Sequence, residues 1–133
     1  MENMELTRIK YPDMRMNLIA YIESLSDLEY QRQYWGKADP KNPDFYDDFD
    51  ESIHFLYDST DIATDPKSWL GLVLRNDKEV TLVSALTESI EKLFQEHGLD
   101  LADEKYMETK EWTLILNNAK ALHNELILES GLK

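Results

Sequence analysis

No cysteine occurs in the 133 residues, which removes disulfide frameworks, thiolate metal sites and cysteine nucleophiles together. That suits a reducing compartment, and a cytoplasmic location is expected. Four glycines and four prolines are too few for a low-complexity linker. Gly36, Gly71, Gly98 and Gly131 stand alone, so no glycine-rich loop is present to cradle a phosphate. Only three histidines are available as bases, and no Gly-x-Ser-x-Gly elbow occurs. No long apolar run exists, and the opening MENMELTRIKYP lacks the apolar core of a signal peptide. Membrane spanning and signal-directed secretion are therefore not expected.

Positive charge is the largest shortage. Fourteen Lys and Arg face 27 Asp and Glu, leaving a formal net charge of −13. Such a field repels nucleic-acid phosphates and anionic lipid and attracts cationic partners. Between Asn42 and Pro66 there are eight acidic residues and no Lys or Arg. With 42% hydrophobic and 11% aromatic residues, the chain nevertheless has enough apolar surface to build a core. At this length one domain spanning residues 1–133 is expected, with residues 1–10 as a flexible N-terminus.

Helical periodicity runs through almost every segment, and strand alternation does not compete with it. Pro12 opens a stripe of Met14, Leu18, Tyr21, Ile22 and Leu25. Ser26-Asp-Leu-Glu29 has capping-box spacing for a second helix that Gly36 closes after Trp35. Asn42-Pro43 reads as the cap and first turn of an acidic helix with Phe45, Phe49, Ile53 and Leu56 inward. Asp65-Pro66 repeats that start signal, although Ser68–Leu74 would suit either a short helix or a buried strand. Asn76 and Glu79 form another capping-box pair before Val83, Leu86, Ile90, Leu93 and Phe94, and Gly98 stops that helix. The last helix carries Trp112, Ile115, Leu116, Ala119, Leu122, Leu126 and Ile127 on one face and frays near Gly131. His97 is placed to interact with the carbonyls that end its helix, and His123 lies at the boundary of the last apolar stripe. Trp69 and Trp112 are expected in the core. The whole reads as an all-α domain of five or six amphipathic helices packed as an antiparallel bundle-like core.

With the apolar stripe inward, Asp47, Glu51, His54 and Asp58 share the outer face of the acidic helix. Glu51-x-x-His54 has the spacing of a di-iron ligand pair, but that site needs a second Glu-x-x-His, and neither His97 nor His123 has a Glu three positions earlier. No catalytic residue, cofactor or metal is therefore expected. The alternatives are a metal-dependent hydrolase using Glu51, His54 and Asp58, or a helical scaffold or regulator that forms oligomers. The favoured reading is a partner-binding surface of Asp44, Tyr46, Asp47, Asp48, Glu51, His54, Tyr57 and Asp58. Carboxylates would steer a basic protein partner while the tyrosines anchor it, with Tyr34 and Trp35 nearby. A bland alternative, an acidic face that is only solvated, stands beside it.

Tyr11-Pro-Asp-Met-Arg15, Leu25-Ser-Asp-Leu-Glu-Tyr-Gln-Arg32, Trp35, Phe49-Asp-Glu-Ser-Ile-His-Phe-Leu-Tyr-Asp58 and Asp65-Pro66 resemble a family of small acidic bacterial proteins. Some of these are grouped with the immunity proteins of contact-dependent or polymorphic toxin systems. The resemblance implies a helical cytoplasmic protein that binds and blocks a cognate toxin. It supplies no binding residues of its own.

Overall fold

The computed structural model describes residues 9–37, 40–42, 44 and 46–130. Pro43, Phe45, Gly131 and most of the expected flexible N-terminus lie outside the described residues. Six α-helices are present among the described residues: α1 (Pro12–Leu25), α2 (Leu28–Tyr34), α3 (Phe49–His54), α4 (Asp77–His97), α5 (Asp103–Met107) and α6 (Lys110–Ser130). The fold is all-α, with isolated bridges at Trp35–Asp47 and Leu70–Leu74. No helix among the described residues is long and apolar enough to cross a membrane.

The long helix α6 forms the spine and packs most extensively against α4 and α1. It runs antiparallel to α4: His97 meets Glu111 at one end, and Lys78 meets Glu125 at the other. Every third or fourth residue of these helices turns inward, so Val83, Leu86, Ile90 and Leu93 face Ile115, Ala119, Leu122 and Leu126, all at most 1% exposed. Beyond that interface lies an aromatic cluster. Phe49 touches Trp112 and Tyr106 edge-on at centroid distances of 5.0 and 5.5 Å and stacks with Trp35 at 5.8 Å. Edge-to-face pairs of this kind align the ring quadrupoles favourably. Trp112 Nε1 donates to Gln31 Oε1 at 3.0 Å, so the buried indole keeps its hydrogen bond.

Several local details depart from the sequence expectation. Asp27, not Ser26, caps α2 by accepting from the Tyr30 N–H, while the Ser26 hydroxyl donates to the Glu23 carbonyl. The acidic helix is shorter than expected. It begins at Phe49 with Asp48 as its cap, because the Asp48 carboxylate takes the Glu51 N–H at 2.8 Å. The helix then widens into a π turn over Phe55–Ser59, where the Thr60 N–H reaches the Phe55 carbonyl. Widening rephases the helix, so the adjacent Phe55 and Leu56 are both buried.

Ser68–Leu74 is neither helix nor strand. A 3₁₀ turn, Pro66–Trp69, leads into a tight loop closed by the Leu70–Leu74 bridge. The carbonyls of Gly71 and Leu72 accept the Lys10 and Tyr11 N–H groups, so this loop docks the chain entering α1. Trp69 is only partly buried and donates from Nε1 to Asp61 at 2.7 Å. Gly36 and Gly98 end α2 and α4 at φ 71° and 80°, a region that favours glycine. His97 does not cap the α4 carbonyls. Its Nε2 instead lies 2.8 Å from Glu111 Oε1.

One buried polar cluster was not foreseen. Arg15 and Glu79 form two parallel 2.8 Å hydrogen bonds with side chains 6% and 0% exposed. Arg15 also donates to the Val73 and Leu126 carbonyls, and Glu79 accepts the Arg75 N–H. Asn76 does cap α4 by accepting the Glu79 N–H. The return half of that capping box is absent because Glu79 is committed to Arg15.

Candidate functional site

The acidic segment is seated on α1 and α2 by one carboxylate. Asp47 Oδ2 accepts from Tyr30 Oη at 2.7 Å, Ser24 Oγ at 3.0 Å and Trp35 Nε1 at 3.3 Å. Its Oδ1 accepts the Asp48 N–H, and its backbone carbonyl accepts the Gly36 N–H. With 9% of its surface exposed, Asp47 is a buried clamp. The sequence placed it on the outer row with Glu51, His54 and Asp58, and that placement is corrected here. Position 47 precedes the helix, so helical geometry does not govern the direction of its side chain.

The other candidates divide into paired and unpaired groups. Asp44, Tyr46, Glu51, His54 and Asp58 are exposed. His54 Nδ1 lies 3.0 Å from Asp58 Oδ2, one helical turn away. Tyr46 Oη donates to Asp48, which is itself the α3 cap. Tyr57 is half-buried and its hydroxyl donates to Glu91 at 3.3 Å. The Glu51 side chain has no hydrogen bond or ion pair among the described residues. Those residues also contain no group of three or more His, Cys, Asp or Glu side chains arranged to hold a metal ion.

Folding adds acidic groups that the linear run did not include. Asp103, at the start of α5, accepts the Phe49 N–H at 3.0 Å and so stands beside the α3 N-terminus. Its carboxyl is pushed above its ordinary range, first by burial and then by the charges of Asp48, Asp50 and Asp47, against the opposing Phe49 hydrogen bond. Asp50 and Asp103 line one groove together with Asp100, Phe49, Ile53 and the exposed Leu99 and Leu101.

On the other flank, a groove of about 450 Å³ opens between α1, α2 and the acidic segment. It is lined by Ala20, Tyr21, Glu23, Ser24, Asp27, Tyr30, Tyr46, Asp47 and Glu51. Among the described residues no Lys or Arg lines it, and its walls are fixed from behind. Tyr21 stacks on Phe55 at 4.7 Å, which the π turn makes possible by turning Phe55 inward. The Tyr30 and Tyr46 hydroxyls are held by Asp47 and Asp48. Burial, followed by the neighbouring Glu51 and Asp47, raises the Tyr21 pKa. Burial and the Asp47 hydrogen bond raise that of Tyr30, and the Asp48 hydrogen bond leads the rise at Tyr46. All three rings therefore stay neutral at physiological pH, and the negative charge of the groove resides on its carboxylates.

Sequence reasoning found Tyr46, Asp47 and Glu51 but missed Tyr21, Glu23, Asp27 and Tyr30. These lie on α1 and α2, and only the fold brings them opposite the acidic segment. No curated protein and no solved structure matches the chain. Residues 9–132, which take in every element of the groove, match the family described as domain of unknown function DUF7945, and the chain belongs to that family.

Proposed function

We propose that this is a non-enzymatic binding protein for a basic protein partner. Most concretely, it is an immunity protein that acts in the cytoplasm and neutralises a basic, nuclease-type toxin by covering its active cleft. The observation carrying this reading is a surface on which the exposed Asp44, Asp50, Glu51 and Asp58 are joined by Asp103 from α5 and by Glu23 and Asp27 across the groove. Like charges gathered on one face give a negative field that attracts an approaching cation. A nuclease cleft is basic because it binds phosphates, so it is complementary to such a surface. The toxin assignment itself rests on the sequence resemblance.

The test takes the product of the neighbouring reading frame as partner and replaces Asp50, Glu51 and Asp58 together by Lys. All three are exposed, so the fold should persist. Association at low salt should slow by about tenfold or more, and the difference should close as salt is raised. Equal association rates for the variant and the native protein at low salt would refute the reading.

A further inference from the structure

We propose that the groove between α1, α2 and the acidic segment receives an arginine side chain projecting from the basic partner, its guanidinium held among Tyr21, Tyr30 and Tyr46 and paired with Glu51 and Glu23. This rests on the binding reading above and names the chemistry of one contact within it. The groove has both components that a guanidinium requires. Its lining includes three tyrosines, a residue type to which a guanidinium is drawn by stacking and cation–π attraction. Its rim carries the side chains of Glu23 and Glu51, neither of which has a hydrogen bond or ion pair among the described residues. Asp47 at the base is already committed to Ser24, Tyr30 and Trp35 and adds fixed negative potential.

The groove at Asp50 and Asp103 also has carboxylates and rings, but its Phe49 and Tyr106 are only 1% and 2% exposed and are packed into the aromatic cluster. The depression around His54 and Asp58 is acidic, but among the described residues no Phe, Tyr or Trp lines it. The groove beside Trp35 contains Arg32 and Lys37, which would repel an incoming cation. Arginine suits the tyrosine groove better than lysine because a planar guanidinium stacks on rings, pairs with carboxylates through two parallel bonds and sheds water more readily than an ammonium. The walls are already set by the Tyr21–Phe55 stack and by the bonded Tyr30 and Tyr46 hydroxyls, so little ordering is needed on binding.

The probe is a capped Gly-Arg-Gly peptide, compared with its citrulline counterpart, which has nearly the same shape without the charge, and with Gly-Lys-Gly. Aromatic NMR signals report on the groove of the full chain. The arginine peptide should shift the Tyr21, Tyr30 and Tyr46 signals saturably, and the citrulline peptide should not. Glu51→Gln and Tyr46→Ala, both at exposed positions, should each weaken binding by roughly three- to tenfold. Equal shifts from arginine and citrulline, or arginine shifts that neither variant changes, overturn the proposal. Equal binding by the lysine peptide overturns the choice of guanidinium. An octa-arginine peptide separates this proposal from the wider one. If it binds in a salt-dependent way while the tripeptide leaves the groove unmoved, the groove assignment fails and the acidic-surface reading stands. If neither peptide binds, both fail.

Discussion

Glu79 is fully buried and meets three donors, Arg15 Nη1, Arg15 Nη2 and the Arg75 N–H, whereas Glu51 lies exposed with no donor among the described residues. A carboxylate removed from water must be matched by donors or protonated, so the partners of Glu79 follow from its burial. Nothing in the fold requires a partner for Glu51. The contrast separates charges that hold the structure from charges available to a second molecule, and proximity in sequence does not make that separation. Asp47 and Glu51 are one helical turn apart in number, yet the first belongs with Glu79 and the second does not.

The comparison breaks most visibly at the buried pair. Glu79→Ala removes the carboxylate that Arg15 engages through two parallel hydrogen bonds and should cost about 3–5 kcal/mol in urea unfolding. The double replacement Arg15→Met with Glu79→Leu should recover part of that loss. Recovery stays partial because the Val73 and Leu126 carbonyls lose the donors Arg15 gives them. A Glu79→Ala protein with the native unfolding midpoint would show that the pair is dispensable. Asp47→Ala should cost about 2 kcal/mol, since it leaves the Tyr30 and Ser24 hydroxyls without their shared acceptor, while Trp35 Nε1 keeps Ser24 Oγ. Unchanged stability there would return Asp47 to the surface group.

Two carboxyls sharpen the contrast through pH. The His97 hydrogen bond holds the Glu111 carboxyl below its ordinary value of 4.5, with a smaller opposing contribution from burial. Its stabilisation is thus present above pH 4.5 and is lost as pH falls through the depressed folded value. Asp103 has the opposite sign. Its carboxyl is raised above 3.8, so its favourable contribution is complete below that pH and disappears as pH rises through the raised folded value. Asp103→Asn should therefore be more stable than the native chain at neutral pH, with Asn Oδ1 still accepting the Phe49 N–H, and the advantage should vanish in acid. Glu111→Gln should be less stable at neutral pH and converge with the native chain in acid. Unfolding midpoints across the acid range check both. The smallest change is expected from the Asp50, Glu51 and Asp58 to Lys triple variant. Its stability should stay within roughly 0.5 kcal/mol of the native chain, and a larger loss would place those residues among the structural charges.

Much of the fold was legible because long amphipathic helices write their period into the sequence. Leu18, Ile22, Leu25, Val83, Leu86, Ile90, Leu93, Trp112, Ile115, Ala119, Leu122 and Leu126 are buried as expected, while Met14, Tyr21, Phe94, Leu116 and Ile127 at the stripe edges are partly buried. Pro12, Asn76 and Gly98 mark helix ends through local chemistry, and the structure uses them so. What was not legible depends on distant residues. Arg15 and Glu79 are 64 positions apart, and no local pattern announces that they meet. The acidic helix was extended too far toward its N-terminus because Asn42-Pro43 is a good start signal, while Asp48, the cap used, is one of many aspartates. Half of the groove was invisible for a related reason. Tyr21 and Tyr30 sit on separate helices, and only the tight turn through Ser26 and Asp27 brings them to one wall.

The Arg15 cluster also bears on how far the chain can be divided. Its bonds join residues 15, 73, 79 and 126, so α1, the start of α4 and the end of α6 share one buried ion pair. Local opening of any one of them exposes or strands a charge that the other two were built around. Their amide hydrogens should then exchange with solvent as a single cooperative unit, without helix-by-helix fraying. A fragment lacking α1 would leave Glu79 without Arg15, and one lacking the end of α6 would leave Arg15 without the Leu126 carbonyl, so the smallest independently folding piece is close to the whole domain.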